Sequence, residues 1–175
     1  MKIVILSSSP HLKGTSSLLV DEFIRGASSH EIIRHDVAFK NIGPCLGCDR
    51  CMMNGPCIQD DDMKVILDDL LECDMVVFAS PLYYFGMSAQ LKLVIDRFYS
   101  RNGRLQRKHL KSALLSTCFD SNEDAMKGLK LHYEILVDYL NLDDQGAIYG
   151  LGCGNVNMTQ TTKYPRLAYE LGKRV

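Results

Sequence analysis

Short apolar strands alternate with amphipathic helical segments along this chain, and this alternation constrains the fold more than any other feature. Apolar, β-branched runs predict buried strands over residues 2–7, 31–39, 74–80, 112–117 and 146–150. Apolar residues at spacings of three and four predict helices over residues 16–27, 60–72, 88–99, 122–140 and a last segment ending near residue 171. We therefore predict a doubly wound α/β fold, in which right-handed crossovers place helices on both faces of a five-stranded parallel sheet.

Length and composition exclude several classes of protein. A chain of 175 residues, of which 46% are hydrophobic, suits one compact domain, which we place over residues 1–175. The net charge of −1 supplies no basic field for nucleic acid or anionic lipid. No apolar run approaches the roughly eighteen residues of a membrane span, and the run at residues 3–6 is too short for a signal peptide. We expect a cytoplasmic protein with small-molecule partners, no nucleic-acid partner and no membrane association.

The loop after the first strand combines hydroxyl groups with the free amides of a helix N-terminus. Ligands of doubly wound folds bind beyond the carboxyl ends of the strands, and helix N-termini favour anions. The loop has neither the glycine pattern of dinucleotide-binding proteins nor a P-loop. The alternative is an ordinary serine-rich turn that caps the helix. The candidate phosphate-binding residues are Ser9, His11, Thr15, Ser16 and Ser17.

Three adjacent aromatic residues follow the third strand, at the mouth of the same crevice. Aromatic faces suit a planar heterocycle, although the rings would equally cover the core or an oligomer interface. The candidate residues are Pro81, Leu82, Tyr83, Tyr84, Phe85 and Gly86, together with Thr117 at the end of the fourth strand. A phosphate site and an aromatic platform in one crevice indicate flavin mononucleotide (FMN).

Four of the seven cysteines fall within thirteen consecutive residues of the longest irregular segment. We call residues 41–59, which contain them, the cysteine loop. The four are Cys45, Cys48, Cys51 and Cys57. Their spacing fits a [4Fe-4S] cluster held by four thiolates. Free or redox-active thiols, a zinc site and a disulfide remain as alternatives.

These motifs resemble those of the flavodoxin-like NAD(P)H-dependent FMN reductases, and in particular the iron-sulfur flavoprotein branch. The matching segments are residues 9–16, 80–92 with Asp96 and Arg97, and the cysteines through Asp62. His11 stands where that family commonly has arginine, and Thr15 where it commonly has asparagine. The resemblance implies the strand order 2-1-3-4-5, bound FMN, NAD(P)H as the reductant, and a homodimer or homotetramer.

The resemblance implies an FMN-dependent oxidoreductase that transfers electrons from NAD(P)H to a quinone, a flavin or another small acceptor. The alternative is an iron-sulfur flavoprotein that carries electrons between a ferredoxin-like donor and an acceptor. No side chain is assigned as catalytic. We expect the basic run over residues 101–111 to be a solvated loop, and the aspartates at 60–62 to cap the following helix.

Overall fold

The computed structural model describes all 175 residues, and its sheet has six strands. These are β1 (Lys2–Ser7), β2 (Glu31–Asp36), β3 (Met75–Tyr83), β4 (Gly86–Met87), β5 (Lys111–Thr117) and β6 (Asp143–Gly150). Five of them run parallel in the order β2-β1-β3-β5-β6, which is the predicted 2-1-3-4-5 arrangement. The predicted strand count of five is wrong because β4, only two residues long, pairs antiparallel with the end of β3.

Seven α-helices flank this sheet. They are α1 (Thr15–Gly26), α2 (Met63–Glu72), α3 (Ala89–Arg97), α4 (Asn102–Lys108), α5 (Lys127–Leu140), α6 (Val156–Gln160) and α7 (Tyr164–Arg174). Short 3-10 turns occupy Val37–Phe39, Phe98–Arg101 and Glu123–Met126. The basic run was wrongly predicted as a loop, since most of it forms α4. That helix is anchored by the buried Leu105, which packs into the core.

The sheet separates two apolar cores, because successive strand side chains point to opposite faces. In β1, Ile3 and Ile5 pack in the core beneath α1 and α7, whereas Val4 and Leu6 pack in the larger core beneath α2 to α5. Gly26 brings the backbone of α1 against that of α7, where any added Cβ would collide with Tyr169 O. None of the helices has the length and apolar character needed to cross a membrane. The arrangement leaves the loops after β1, β3 and β5 together at one edge.

Candidate functional site

Hydroxyl groups join the loop after β1 to the end of β5. We call residues 8–17 the phosphate loop. The Thr117 hydroxyl lies 2.9 Å from the Thr15 hydroxyl and 2.8 Å from the Ser16 hydroxyl, across a sheet in which β3 separates β1 from β5. Within the sheet, Pro81 of β3 is in register with Thr117. The structure therefore brings together candidate residues that are about a hundred positions apart in sequence.

The first turn of α1 leaves amides free to bind an anion. The backbone N–H groups of Thr15, Ser16 and Ser17 have no acceptor within the chain, and no side chain caps the helix. A Cβ added at Gly14 would lie 3.0 Å from both Cβ and O of His11, so a larger residue here would crowd the loop backbone. Unpaired amides at the positive end of a helix favour a phosphate, and these residues therefore fit the FMN monophosphate.

The remaining phosphate-loop candidates shape the backbone. The Ser9 hydroxyl accepts from His11 N at 3.1 Å, and the Ser17 hydroxyl donates to His11 O at 3.1 Å. Ser9 and Ser17 are buried, whereas His11 is exposed. Two of the predicted hydroxyls are thus engaged by the loop's own backbone, which holds the loop in its turned conformation.

The aromatic residues form a tight hairpin, for which we use the name aromatic hairpin (Pro81–Gly86). Leu82 and Tyr83 pair with Met87 and Gly86. Tyr84 and Phe85 form its two-residue turn with φ values of 45° and 64°. This left-handed region disfavours bulky side chains, and such strain is concentrated at functional sites. Tyr84 is 100% exposed and Phe85 64% exposed. The aromatic rings are therefore presented at the surface, and the prediction that they face a ligand or another subunit stays a prediction.

Buried serines fix the base of the aromatic hairpin against the phosphate loop. Ser88 Oγ donates to Ser8 Oγ at 2.8 Å, and Ser8 Oγ donates to Ala79 O at 2.9 Å. Ser88 N donates to Ser80 Oγ at 2.9 Å. None of these three serines was predicted as a site residue, although Ser8 and Ser80 stand out as polar residues at the ends of otherwise apolar strands. Their bonds hold the two candidate binding segments side by side.

All four clustered cysteines line one small cavity in the cysteine loop. Cys45 and Cys48 are exposed, Cys57 is half-buried and Cys51 is buried. No three His, Cys, Asp or Glu side chains converge to hold a metal ion in this structure. The segment has no helix or strand between Phe39 and Met63. The structure gathers the predicted ligands around one space without bringing their sulfurs to a common point.

A buried ion pair anchors the ends of the cysteine loop. Arg97 Nη1 donates to Asp61 Oδ2 at 2.7 Å and to Gly43 O at 2.9 Å. Gly43 N in turn donates to Asp61 Oδ2 at 3.0 Å. Burial raises the pKa of Asp61, but the Arg97 hydrogen bond, the amides of Gly43 and Met63, and the Arg97 charge together lower it below its ordinary value. The segments before and after the four cysteines are thereby held together.

The capping role predicted for the three aspartates is largely wrong. The Asp62 side chain makes no capping bond to α2 and instead accepts from Asn41 N at 2.7 Å. Asp61 accepts from Met63 N at 3.2 Å, but its main partner is Arg97. The signal for this pair was Arg97 itself, which lies three residues after the buried Val94 on α3. A charge on a buried helical stripe requires a partner.

The other three cysteines are buried thiols. Burial raises the pKa of Cys73 to about 11, and it also raises the pKa values of Cys118 and Cys153. Cys118 and Cys153 lie near the carboxyl edge, where Cys153 N donates to Cys118 O at 2.7 Å. Buried thiols with raised pKa values are poor nucleophiles and poor metal ligands. These environments differ from that of the cysteine loop, where two of the four thiols are exposed.

The donor set of the cysteine loop fits a thiolate-ligated metal centre. Four thiols surround one cavity, and four thiolates are the ligands of iron-sulfur clusters as well as of structural zinc sites. Arg97 lines the same cavity and has a buried Nε without a hydrogen-bond partner. A buried guanidinium with an unused donor suits a group that carries acceptor sulfurs and negative charge.

Comparison with known proteins gives a consistent family. A family model described as NADPH-dependent FMN reductase matches residues 1–128. An iron-sulfur flavoprotein of Methanocaldococcus jannaschii is 37% identical over 99 residues, covering 55% of this chain and 51% of that protein. A Bacillus subtilis protein provisionally named an NAD(P)H-dependent FMN-containing oxidoreductase is 27% identical over 160 residues, covering 87% of this chain and 86% of that protein.

Solved structures support the fold. The NAD(P)H:quinone oxidoreductase from Methanothermobacter marburgensis superposes with a TM-score of 0.74 at 17% identity, covering 99% of this chain and 93% of the other. At that identity the similarity establishes the fold alone. The chain spans about half the length of the iron-sulfur flavoproteins it matches.

Proposed function

Because the chain belongs to the NADPH-dependent FMN reductase family, we propose that it is an FMN-dependent oxidoreductase. It accepts electrons from NAD(P)H and passes them to a quinone, a flavin or another small acceptor. The junction of Thr15 and Ser16 with Thr117 carries this proposal, since it sets the phosphate loop beside the strand ends that bear the aromatic hairpin. The name of the Bacillus subtilis protein supports the same reaction class.

The chain's own residues would bind and orient the cofactor. The amides of Thr15, Ser16 and Ser17 would hold the phosphate. The Thr117 hydroxyl would fix the hydroxyls of Thr15 and Ser16 beside the phosphate. The aromatic hairpin would contact the flavin ring through its apolar side chains and its backbone amides. FMN, when bound, supplies the acceptance and release of electrons that no side chain of this chain provides. We assign no side chain as a proton donor or acceptor.

A second copy of the chain would complete this crevice. Tyr84, Phe85 and Phe119 are exposed around the carboxyl edge, with Phe119 at 81%. Such a concentration of exposed aromatic side chains is unusual for a surface that faces only water. We propose a homodimer or homotetramer in which a neighbouring subunit covers the flavin and limits access to it. All seven cysteines are free thiols, which agrees with the proposed cytoplasmic location.

An anaerobic absorption experiment tests the reductase proposal. The isolated protein should show a flavin spectrum that NADPH or NADH bleaches rapidly without any mediating protein. The released flavin should be FMN, at about one per chain. A protein whose flavin is FAD, or whose FMN is reduced by neither nucleotide, would contradict the proposal. Reduction through ferredoxin alone would favour the second candidate function.

The second candidate is an iron-sulfur flavoprotein that exchanges electrons with a ferredoxin-like partner. It is supported by the four thiols around one cavity, by the unpartnered Arg97 Nε beside them, and by the name of the Methanocaldococcus jannaschii relative. In this version Cys45, Cys48, Cys51 and Cys57 ligate a [4Fe-4S] cluster. The domain over residues 1–175 then holds two redox groups, one on the regular fold and one on the cysteine loop.

Substitution of a loop cysteine separates the two candidates. Cys48→Ser should remove iron and sulfide while leaving FMN at full stoichiometry, because the phosphate loop and the aromatic hairpin do not include Cys48. Cys73→Ala is the matched control and should retain both groups, since Cys73 is buried in the core. Wild-type protein that takes up no iron or sulfide on anaerobic reconstitution would exclude the cluster and leave the reductase proposal intact.

A further inference from the structure

Arg97 is buried to an extent that is unusual for a cation. Its residue exposure is 2%, and it is among the largest fully buried side chains of the chain. Arginine is almost never fully buried unless it is paired. Its position at the end of α3 places the guanidinium between the two ends of the cysteine loop, where it contacts Gly43 O and the Asp61 carboxylate.

The same guanidinium also faces the cysteines. Arg97 lines the cavity that the four cysteines share. Arg97 and Cys57 also line a second, neighbouring cavity together. The Nη atoms are occupied by Gly43 and Asp61, whereas the buried Nε has no partner. Two of the five N–H groups of Arg97 are therefore unused, including that of the buried Nε, in a side chain that lines the same cavities as Cys57, the last cysteine of the motif.

The magnitudes indicate how this donor would act. The charge of Arg97 is already opposed by Asp61 at 2.7 Å, so its net field at the cavity is small. A hydrogen bond to a charged acceptor is roughly twice as strong as one between neutral groups, and it is directed at one atom. The hydrogen bond from the free N–H should therefore affect the cluster more than the charge of Arg97 does.

We propose that Arg97 is a positioning residue for the cysteine loop. Its guanidinium donates a hydrogen bond to the Cys57 sulfur that ligates the cluster, and this bond raises the reduction potential of the cluster. This inference rests on the iron-sulfur version of the proposed function. Hydrogen bonds to the sulfurs and the local charge are among the factors that set the potentials of thiolate-ligated clusters. Asp61 lowers the reduction potential of the cluster, because its negative charge offsets the positive charge of Arg97.

Two substitutions with opposite expected signs test the proposal. Arg97→Lys keeps the charge but removes Nε and the planar guanidinium. It should therefore lower the equilibrium constant for one-electron reduction of the cluster about tenfold, which corresponds to a decrease in the reduction potential of about 59 mV. Asp61→Asn removes the negative charge and keeps Arg97, so it should raise that constant. The potentials are read by anaerobic redox titration followed by electron paramagnetic resonance, after iron and sulfide have been counted.

The opposite signs separate tuning from simple support of the loop. If Arg97 and Asp61 only hold the loop ends together, both substitutions should reduce iron retention and move the potential in the same direction, or leave it unchanged. Either result would overturn the proposal. Arg104→Lys is the control, because Arg104 is exposed on α4 and lines neither the cavity shared by the four cysteines nor the neighbouring one. This substitution should change the equilibrium constant for one-electron reduction of the cluster by less than about twofold.

A measurement on the unsubstituted protein covers the case in which a variant fails to fold. Holoprotein labelled with ¹⁵N only at arginine should show a nitrogen hyperfine coupling to the reduced cluster in pulsed electron paramagnetic resonance. A cluster that shows no arginine coupling would overturn the role of Arg97. Wild-type protein without iron would instead exclude the cluster itself, so the two failures are distinguishable.

Discussion

The phosphate loop and the cysteine loop are ordered by different means. The phosphate loop lies between a buried strand and a helix, and the hydroxyls of Thr15 and Ser16 bond across the sheet to Thr117. The cysteine loop contains no helix or strand, and the ion pair of Arg97 and Asp61 holds it at its ends. The fold itself shapes the first site. The second has fixed ends, and no three of its possible metal-binding side chains converge on one point.

The largest expected effect is on the phosphate loop alone. The double substitution Ser16→Glu with Ser17→Glu should weaken FMN binding by about a thousandfold, because two unpaired carboxylates would oppose the phosphate in a buried site. Iron content should not change. The control is Ser28→Glu with Ser29→Glu, an exposed serine pair beyond the other end of α1. Calorimetric titration of flavin-free protein gives the affinity, and unchanged FMN binding by the first variant would refute the phosphate assignment.

The second prediction concerns only the cysteine loop. Asp61→Asn should lower the free energy of unfolding by about 3 to 5 kcal/mol, because Arg97 would remain buried without its counter-charge. FMN affinity should stay within about twofold, since the phosphate loop shares no bond with this pair. Asp60→Asn is the matched control at an exposed neighbour. Urea unfolding gives the free energies, and equal values for the two variants would show that the ion pair does not stabilise the loop.

The third prediction separates fold stability from flavin binding within the aromatic hairpin. Replacing its turn by Tyr84→Asn with Phe85→Gly should stabilise the protein by about 1 to 2 kcal/mol, because these residues accept the positive φ values of 45° and 64° more readily. FMN affinity should fall about tenfold as the aromatic contact is lost. A variant that is no more stable than the wild type would contradict the strain argument.

The smallest effect is expected at a core cysteine. Burial raises the pKa of Cys73 from 9.0 to about 11. The unfolded chain therefore ionises first, so the stability due to this thiol is complete below pH 9 and is lost as the pH rises towards 11. Between pH 8 and pH 10 the wild type should lose about 1 kcal/mol more than Cys73→Ala. If the wild type and Cys73→Ala lose the same free energy of unfolding between these two pH values, the burial argument is contradicted.

Sequence patterns predicted the parts of the molecule that depend on local periodicity. The five parallel strands, their order and the helices α1, α2, α3, α5 and α7 follow from apolar spacing and from the family resemblance. The two-residue β4 was missed because a strand that short has no alternation to detect. The pair of Arg97 and Asp61 joins residues 36 positions apart, and only the packed structure shows that both are buried.

Sequence patterns likewise predicted only part of the candidate site. The Ser, Thr and Gly content of the phosphate loop indicated an anion site, but the assignment of individual hydroxyls needed coordinates. Ser9 and Ser17 bond to the loop backbone, whereas Thr15 and Ser16 meet Thr117. The positive φ of Tyr84 and Phe85 was also beyond sequence reasoning, since aromatic residues are among the least expected in such a turn.

Binding of FMN and riboflavin to the same flavin-free wild-type protein tests the central claim most directly. The two ligands share the ring and the ribityl chain and differ only in the phosphate that the amides of Thr15, Ser16 and Ser17 are proposed to hold. Fluorescence titration should give an affinity at least about a hundredfold higher for FMN, because the helix N-terminus supplies several charge-assisted hydrogen bonds. Equal affinities for FMN and riboflavin would contradict the assignment of the crevice at the carboxyl edge as the FMN site.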